Sequence, residues 1–189
     1  RYNTLLECNE PSLLIEPLNS YRLKEKMPSN LGEFKVPLGV IESIQDGEDI
    51  TVVSYGSTLR IVEKACIELK SHGISVDLID VQTLIPFDTD NQIISSLKKT
   101  NKLIIVDEDY NGGASAFILK KIIEDQNGYE YLDSKPKTIT SRDHRPPYGS
   151  DGDYFSKPSL DDIFEGIYNV MNEYDPNKYP LNFRSWSQK

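Results

Sequence analysis

From Asp49 onward the chain alternates short β-branched runs with segments of helical period, and this alternation restricts its fold more than any other feature. Ile50-Thr51-Val52-Val53-Ser54 reads as a strand. Tyr55-Gly56-Ser57 follows as a turn, with Ser57 placed to cap the next helix. Leu59, Val62, Ala65, Cys66 and Leu69 repeat at helical spacing, and His72-Gly73 supplies the stop. Residues 75–81 form the next predicted strand. Beyond the Pro86-Phe87-Asp88 turn, Ile93, Ile94 and Leu97 mark a second helix, with Lys98 and Lys99 at its negative end. Leu103-Ile104-Ile105-Val106 is wholly apolar, as suits a parallel strand buried on both faces. Asn111-Gly112-Gly113 opens a helix that Asn127-Gly128 closes, and residues 137–140 form a last short strand. A helix over 159–174 carries Leu160, Ile163, Ile167, Val170 and Met171 on one side. The rhythm predicts an α/β fold: a three-layer, open, mostly parallel sheet with helices on both faces and right-handed crossovers.

The two ends depart from this pattern. Residues 1–35 hold one strand-like run, Leu13-Leu14-Ile15, and then Glu16-Pro17 and a polar, proline-broken stretch. That run has no pairing partner within the segment. It is either linker or the last strand of a preceding domain. The start at Arg1 suggests a processing boundary. The tail from Asp175, with Pro180, Phe183 and Trp186, is either a loose end or an arm that packs on a partner. The domain reading is 1–35 lead-in, 36–174 α/β domain, 175–189 tail.

Composition excludes several functions. A net charge of -9 over 189 residues argues against a nucleic-acid surface. No apolar run reaches the length of a membrane span, so no membrane partner is expected. Cys8 and Cys66 are the only cysteines, which disfavours a disulfide scaffold and suggests a cytoplasmic setting.

Complete catalytic motifs are missing. A dinucleotide site needs G-x-G-x-x-G after the first strand, and Tyr55-Gly56-Ser57-Thr58 has one glycine. No P-loop or hydrolase elbow is present. Gly112-Gly113 either brings a helix N-terminus near an anion or permits close packing. His72 fits a helix end. His144, between Asp143 and Arg145, faces an active-site mouth, an interface or solvent. Zinc spacing is absent, and Asp151 and Asp153 lack the rest of a calcium loop. Asp107-Glu108-Asp109 lies where ligands bind in open α/β sheets, at a strand's carboxyl end. A carboxylate there serves as base, orienter or ion-pair partner, or is simply solvated.

Several segments, in order, resemble a known family. They are Val36-Pro37-Leu38-Gly39, Asp46 to Gly56, Ile79-Asp80-Val81-Gln82-Thr83-Leu84-Ile85-Pro86-Phe87-Asp88, Ser96-Leu97-Lys98-Lys99-Thr100, Ile105 to Glu108 with Gly112-Gly113, and Asp143-His144-Arg145-Pro146-Pro147-Tyr148. Together they resemble the transketolase C-terminal domain. They are most similar to the beta-type portion of thiamine diphosphate-dependent 2-oxo acid dehydrogenases, in which a Glu-Pro and a Tyr-Arg pair precede the domain. Glu16-Pro17 and Tyr21-Arg22 stand in those places. Gln82 departs from the pattern, because the family usually has arginine there.

The resemblance implies an enzyme that decarboxylates a 2-oxo acid, pyruvate or the branched-chain 3-methyl-2-oxobutanoate, and acylates a lipoyl group. It implies thiamine diphosphate and Mg2+ in the full-length enzyme, held by domains other than this one, with catalytic residues there too. This chain would then be an assembly and docking domain, inactive alone. Its implied partners are the preceding domains, a second copy in a dimer, and a lipoyl acyltransferase of the multienzyme complex. Glu108, Asp143, His144, Arg145 and Tyr148 are the implied interface or active-site rim. The alternatives are another transketolase-like enzyme, such as a ketol transferase or deoxyxylulose phosphate synthase, and a stand-alone interaction module.

Overall fold

The structure is a computed structural model that describes residues 2–24, 26–27, 29–30, 32–149 and 151–181. Five strands form one sheet: β1 (Glu42–Gln45), β2 (Ile50–Ser54), β3 (Val76–Asp80), β4 (Leu103–Val106) and β5 (Lys137–Ile139). Their order is β1-β3-β2-β4-β5. β1 runs antiparallel to β3, and every other pairing is parallel. The helices are α1 (Tyr2–Glu7), α2 (Leu59–Ser71), α3 (Gln92–Thr100), α4 (Ala114–Lys120), α5 (Gly152–Ser156) and α6 (Leu160–Tyr174). The predicted α/β fold is the one observed.

Strand alternation builds two cores. Ile50 and Val52 of β2, Val76 and Leu78 of β3, and Ile104 and Val106 of β4 face α2 and α6. Val53, Ile79, Leu103 and Ile105 face α3 and α4. Each such side chain contributes about 1.5–3 kcal/mol by leaving water. The second face also holds a polar cluster. Thr51 lies 2.6 Å from both Ser96 and Thr100, and Ser96 donates to Asp77 at 2.7 Å. Lys99 reaches Asp77 at 2.9 Å, so the buried carboxylate is paired.

Helix ends follow local chemistry. At Gly73, φ +76 lets its N–H reach Lys70 O while Ile74 N–H reaches Leu69 O, which stops α2. The Asp88 carboxylate accepts from Gln92 and Ile93 N–H at the start of α3. Ser159 and Asp162 form a capping box on α6.

Residues 13–15, expected to be linker or a strand cut from its sheet, pair with no strand among the described residues. Three expectations are corrected. β1 was not foreseen; of its four residues only Ile44 is apolar, and pairing with β3 rather than local pattern makes it a strand. The Ser57 hydroxyl does not cap α2; it donates to Glu108 instead, and Thr58 holds the cap position. Residues 175–181 are neither loose nor spread outward. Tyr179 is 2% exposed, its carbonyl accepts from Asn172, and Pro180 O accepts from Tyr168 OH at 3.0 Å. Phe183 and Trp186 lie outside the described residues.

Candidate functional site at the carboxyl ends of the strands

Parallel strands bring the ends of β2, β4 and β5 to one rim, where this class of sheet binds ligands. Asp107, the first residue after β4, is 1% exposed and fully committed. Its Oδ1 accepts from Tyr55 OH at 2.8 Å and from Asp109 N–H at 2.9 Å, and its Oδ2 accepts from Ser115 N–H at 3.0 Å. Burial and then the bond to Asp107 push the Tyr55 hydroxyl far above its ordinary pKa. The N-terminus of α4 is therefore answered by this chain's own carboxylate. Of the two readings of Gly112-Gly113, close packing at a turn is the one observed: Gly112 has φ +101, and a Cβ at Gly113 would lie 2.6 Å from Asp109 Oδ2.

Glu108 is half-buried beside Asp107. It accepts from the Ser57 hydroxyl and, at 3.0 Å, from Lys157 Nζ. Burial raises its pKa, but the hydroxyl and the ammonium outweigh burial and hold it below the usual carboxylate range. So held, it is a charged clamp between β2, β4 and α5, not a base poised near neutrality. Sequence reading nominated Glu108 but missed Lys157. The only signal was a lysine just before the Pro158-Ser159 helix start.

The other four nominated residues lie on the exposed loop after β5. The His144 ring lies tilted by 37° beside that of Phe155 with centroids 5.5 Å apart, and its Nδ1 lies 2.9 Å from Arg145 O. Arg145 donates to Tyr148 OH and lies over that ring, while Asp143 is exposed. Among the described residues no hydrogen bond or ion pair joins any of the four to Glu108. Arg142 N–H donates to Ser156 O at 2.9 Å, which fixes the loop to the segment that carries Lys157. Loop and clamp thus share one rim without forming a single constellation. Gln82, at the end of β3, holds φ 58 and donates to Glu42 of β1.

The lead-in crosses the same rim. A Cβ at Gly56 would lie 4.0 Å from Pro17. Glu16 accepts from the hydroxyls of Tyr2 and Tyr21, which pushes Tyr2 up to about 12. Tyr2, Leu14, Ile15, Pro17 and Tyr21 line an open cavity of about 370 Å³ there. A second concavity of about 330 Å³ runs between β5 and α6. Among the described residues no cluster of His, Cys, Asp or Glu suits a metal, and no helix is long and apolar enough to cross a membrane. With Asp107 and Glu108 spent on internal partners, these residues do not fit a metal-bound diphosphate.

The transketolase C-terminal domain model matches residues 39–157, and the chain belongs to that family. The chain is 31% identical over 155 residues to the pyruvate dehydrogenase E1 component subunit beta of Acholeplasma laidlawii, covering 82% of this chain and 46% of that protein. It is 32% identical over 164 residues to the mitochondrial 2-oxoisovalerate dehydrogenase subunit beta 2 of Arabidopsis thaliana, covering 86% and 44%. The chain therefore spans less than half the length of either relative. Among solved structures, a split-gene transketolase described as an inactive beta4 tetramer shares the fold at a TM-score of 0.61 and 16% identity, covering 74% of this chain and 45% of that one.

Proposed function

We propose that the chain is the C-terminal assembly and partner-docking domain of a thiamine diphosphate-dependent 2-oxo acid dehydrogenase, in which it braces the catalytic domains rather than performing the decarboxylation. The observation that carries this reading is the alignment of beta subunits of such dehydrogenases over more than four-fifths of the chain. The rim supports it, since its carboxylates tie β2, β4 and α5 together. The lead-in supports it as well. Leu6, Leu13 and Ile15 are each at least 80% exposed, an apolar series suited to cover by an upstream pyrimidine-binding domain. In that assembly the cofactor and Mg2+ belong to the other domains, and the acyl group passes to a lipoyl acyltransferase. Near-equal identity to pyruvate and 2-oxoisovalerate enzymes favours neither substrate.

The test is turnover of pyruvate and of 3-methyl-2-oxobutanoate with thiamine diphosphate, Mg2+ and an artificial electron acceptor. The chain alone should show none. The chain joined to its upstream domains and complementary subunit should turn over one substrate. Turnover by the chain alone would overturn the reading.

A further inference from the structure

The pair Asn-Gly occurs twice in the chain, at Asn111-Gly112 and Asn127-Gly128, and the fold treats the two differently. In an Asn-Gly pair the glycine nitrogen can reach the asparagine side-chain carbonyl carbon, and no Cβ shields it. Ring closure between them needs an accessible pair and a glycine peptide able to turn.

Asn111-Gly112 meets both needs. The pair is the centre of the turn between β4 and α4, which Gly113 N–H closes by donating to Tyr110 O at 2.9 Å. With φ +101 at Gly112, its third residue, this is the signature of a type II turn. Such a turn engages the N–H of its fourth residue only. Among the described residues no hydrogen bond holds the Gly112 N–H or the Asn111 side chain. Both residues are exposed, and a Cβ added at Gly112 would meet nothing within 4 Å. Asn127-Gly128 does not meet them. Asn127 sits at φ 56, and its carbonyl accepts from Glu130 N–H at 3.3 Å. Gly128 is buried at the start of a 3-10 turn, where a Cβ would lie 2.6 Å from Ile122 O, so its peptide has no room to swing.

We propose that Asn111 is a spontaneous modification site, converting to isoaspartate and aspartate in the folded chain, while the fold protects Asn127. The Gly112 nitrogen gives its proton to solvent and attacks Asn111 Cγ. The N–Cγ bond forms, the Cγ–Nδ2 bond breaks, and the amide nitrogen takes a proton from solvent and leaves as ammonia. The product is a five-membered succinimide. Water then opens the ring at either carbonyl. Breaking N–Cγ gives aspartate; breaking the bond from that nitrogen to the Asn111 main-chain carbonyl carbon gives isoaspartate. Nothing is oxidised or reduced, and water is the only co-reactant. Either product adds a negative charge to the loop that carries Asp107, Glu108 and Asp109. Isoaspartate also inserts one carbon into the turn that brings Ser115 N–H to Asp107.

The test is incubation of the folded full chain in mildly alkaline heavy-oxygen water, followed by tryptic mass spectrometry. The two sites fall on separate peptides, 103–120 and 122–137, because Pro136 blocks cleavage after Lys135. The amide-to-acid mass change, with heavy oxygen incorporated, should accumulate at Asn111 at least tenfold faster than at Asn127, with isoaspartate as the major product. In denaturant the two rates should converge to within threefold. Asn111→Gln, at an exposed position, should abolish the first signal and leave the Asn127 rate unchanged, since closing a six-membered ring is slower. Equal rates in the folded chain would overturn the proposal by denying protection of Asn127. A ratio that persists in denaturant would overturn it by assigning the difference to flanking sequence rather than fold. So would an Asn111 that converts in denaturant but not in the folded chain.

Discussion

The α/β body and the lead-in before it use the same kinds of side chain to opposite effect. In the body Ile50, Val52, Leu78 and Ile105 are fully buried between helices and sheet. In residues 2–34 Leu6, Leu13, Ile15, Leu18, Tyr21, Met27 and Phe34 all face water. The lead-in's bonds join it mainly to itself, Asn3 to Phe34 O, Lys35 to Glu7, and Tyr2 and Tyr21 to Glu16, with Thr4 to Val36 O at its border with the body. Stability in the body comes from layers that cover both faces of a sheet. The lead-in has the apolar residues and lacks the opposing layer.

The sharpest way to break this contrast is a matched pair of truncations. Leu78→Ala empties the α2/α6 core and should cost about 2–5 kcal/mol. Leu13→Ala removes an exposed side chain and should stay within about 0.5 kcal/mol. Denaturant unfolding of the two variants checks both. Comparable losses would mean that the lead-in is part of the cooperative unit.

Next in size is Asp107→Ala. It strands the N–H groups of Asp109 and Ser115 and the Tyr55 hydroxyl, and should destabilise the body by about 1–3 kcal/mol. Tyr55→Phe, which removes one of the three donors, should cost less. A loss of stability without local unfolding of the rim, read by hydrogen exchange, would deny Asp107 its bracing role.

These residues also mark what the chain's pattern discloses. β2, β3, β4, α2, α3 and α6 were legible, because two-residue and 3.6-residue periods report burial against a layer within the same chain. β1 was not, since pairing with β3 makes it a strand. The run at 13–15, read as linker or an orphan strand, is the complementary case: strand propensity without a partner among the described residues yields no strand. At the rim, Glu108 was legible from its place after an apolar strand. Its partners Ser57 and Lys157 lie 51 and 49 residues away along the chain, beyond any local pattern.

Limited proteolysis gives a smaller but direct reading. Trypsin should cut after exposed Lys24 and Lys35 well before any site between Ile50 and Tyr174, leaving the body intact. The trimmed body should unfold within about 0.5 kcal/mol of the full chain. Simultaneous loss of lead-in and body would place them in one folding unit.

The smallest effect contrasts two carboxylates, Glu108 in the body and Glu16 in the lead-in. Both are held below the ordinary carboxylate range, Glu16 by the tyrosine hydroxyls and Glu108 by Ser57 and Lys157 against its burial. A depressed folded pKa means that the native state binds fewer protons than the unfolded one. The resulting stabilisation is full above the unfolded value of about 4.3 and fades as pH falls through the folded value. Glu108→Gln should therefore differ from the parent at neutral pH by no more than the roughly 0–1 kcal/mol of a partly exposed pair, and the difference should shrink on acidification. Glu16→Gln should leave unfolding of the body unchanged at every pH, because its partners Tyr2 and Tyr21 lie in the lead-in too. Urea unfolding of both variants across the acid range decides it. A matching pH dependence for Glu16→Gln would show the two regions to be energetically coupled and erase the contrast between them.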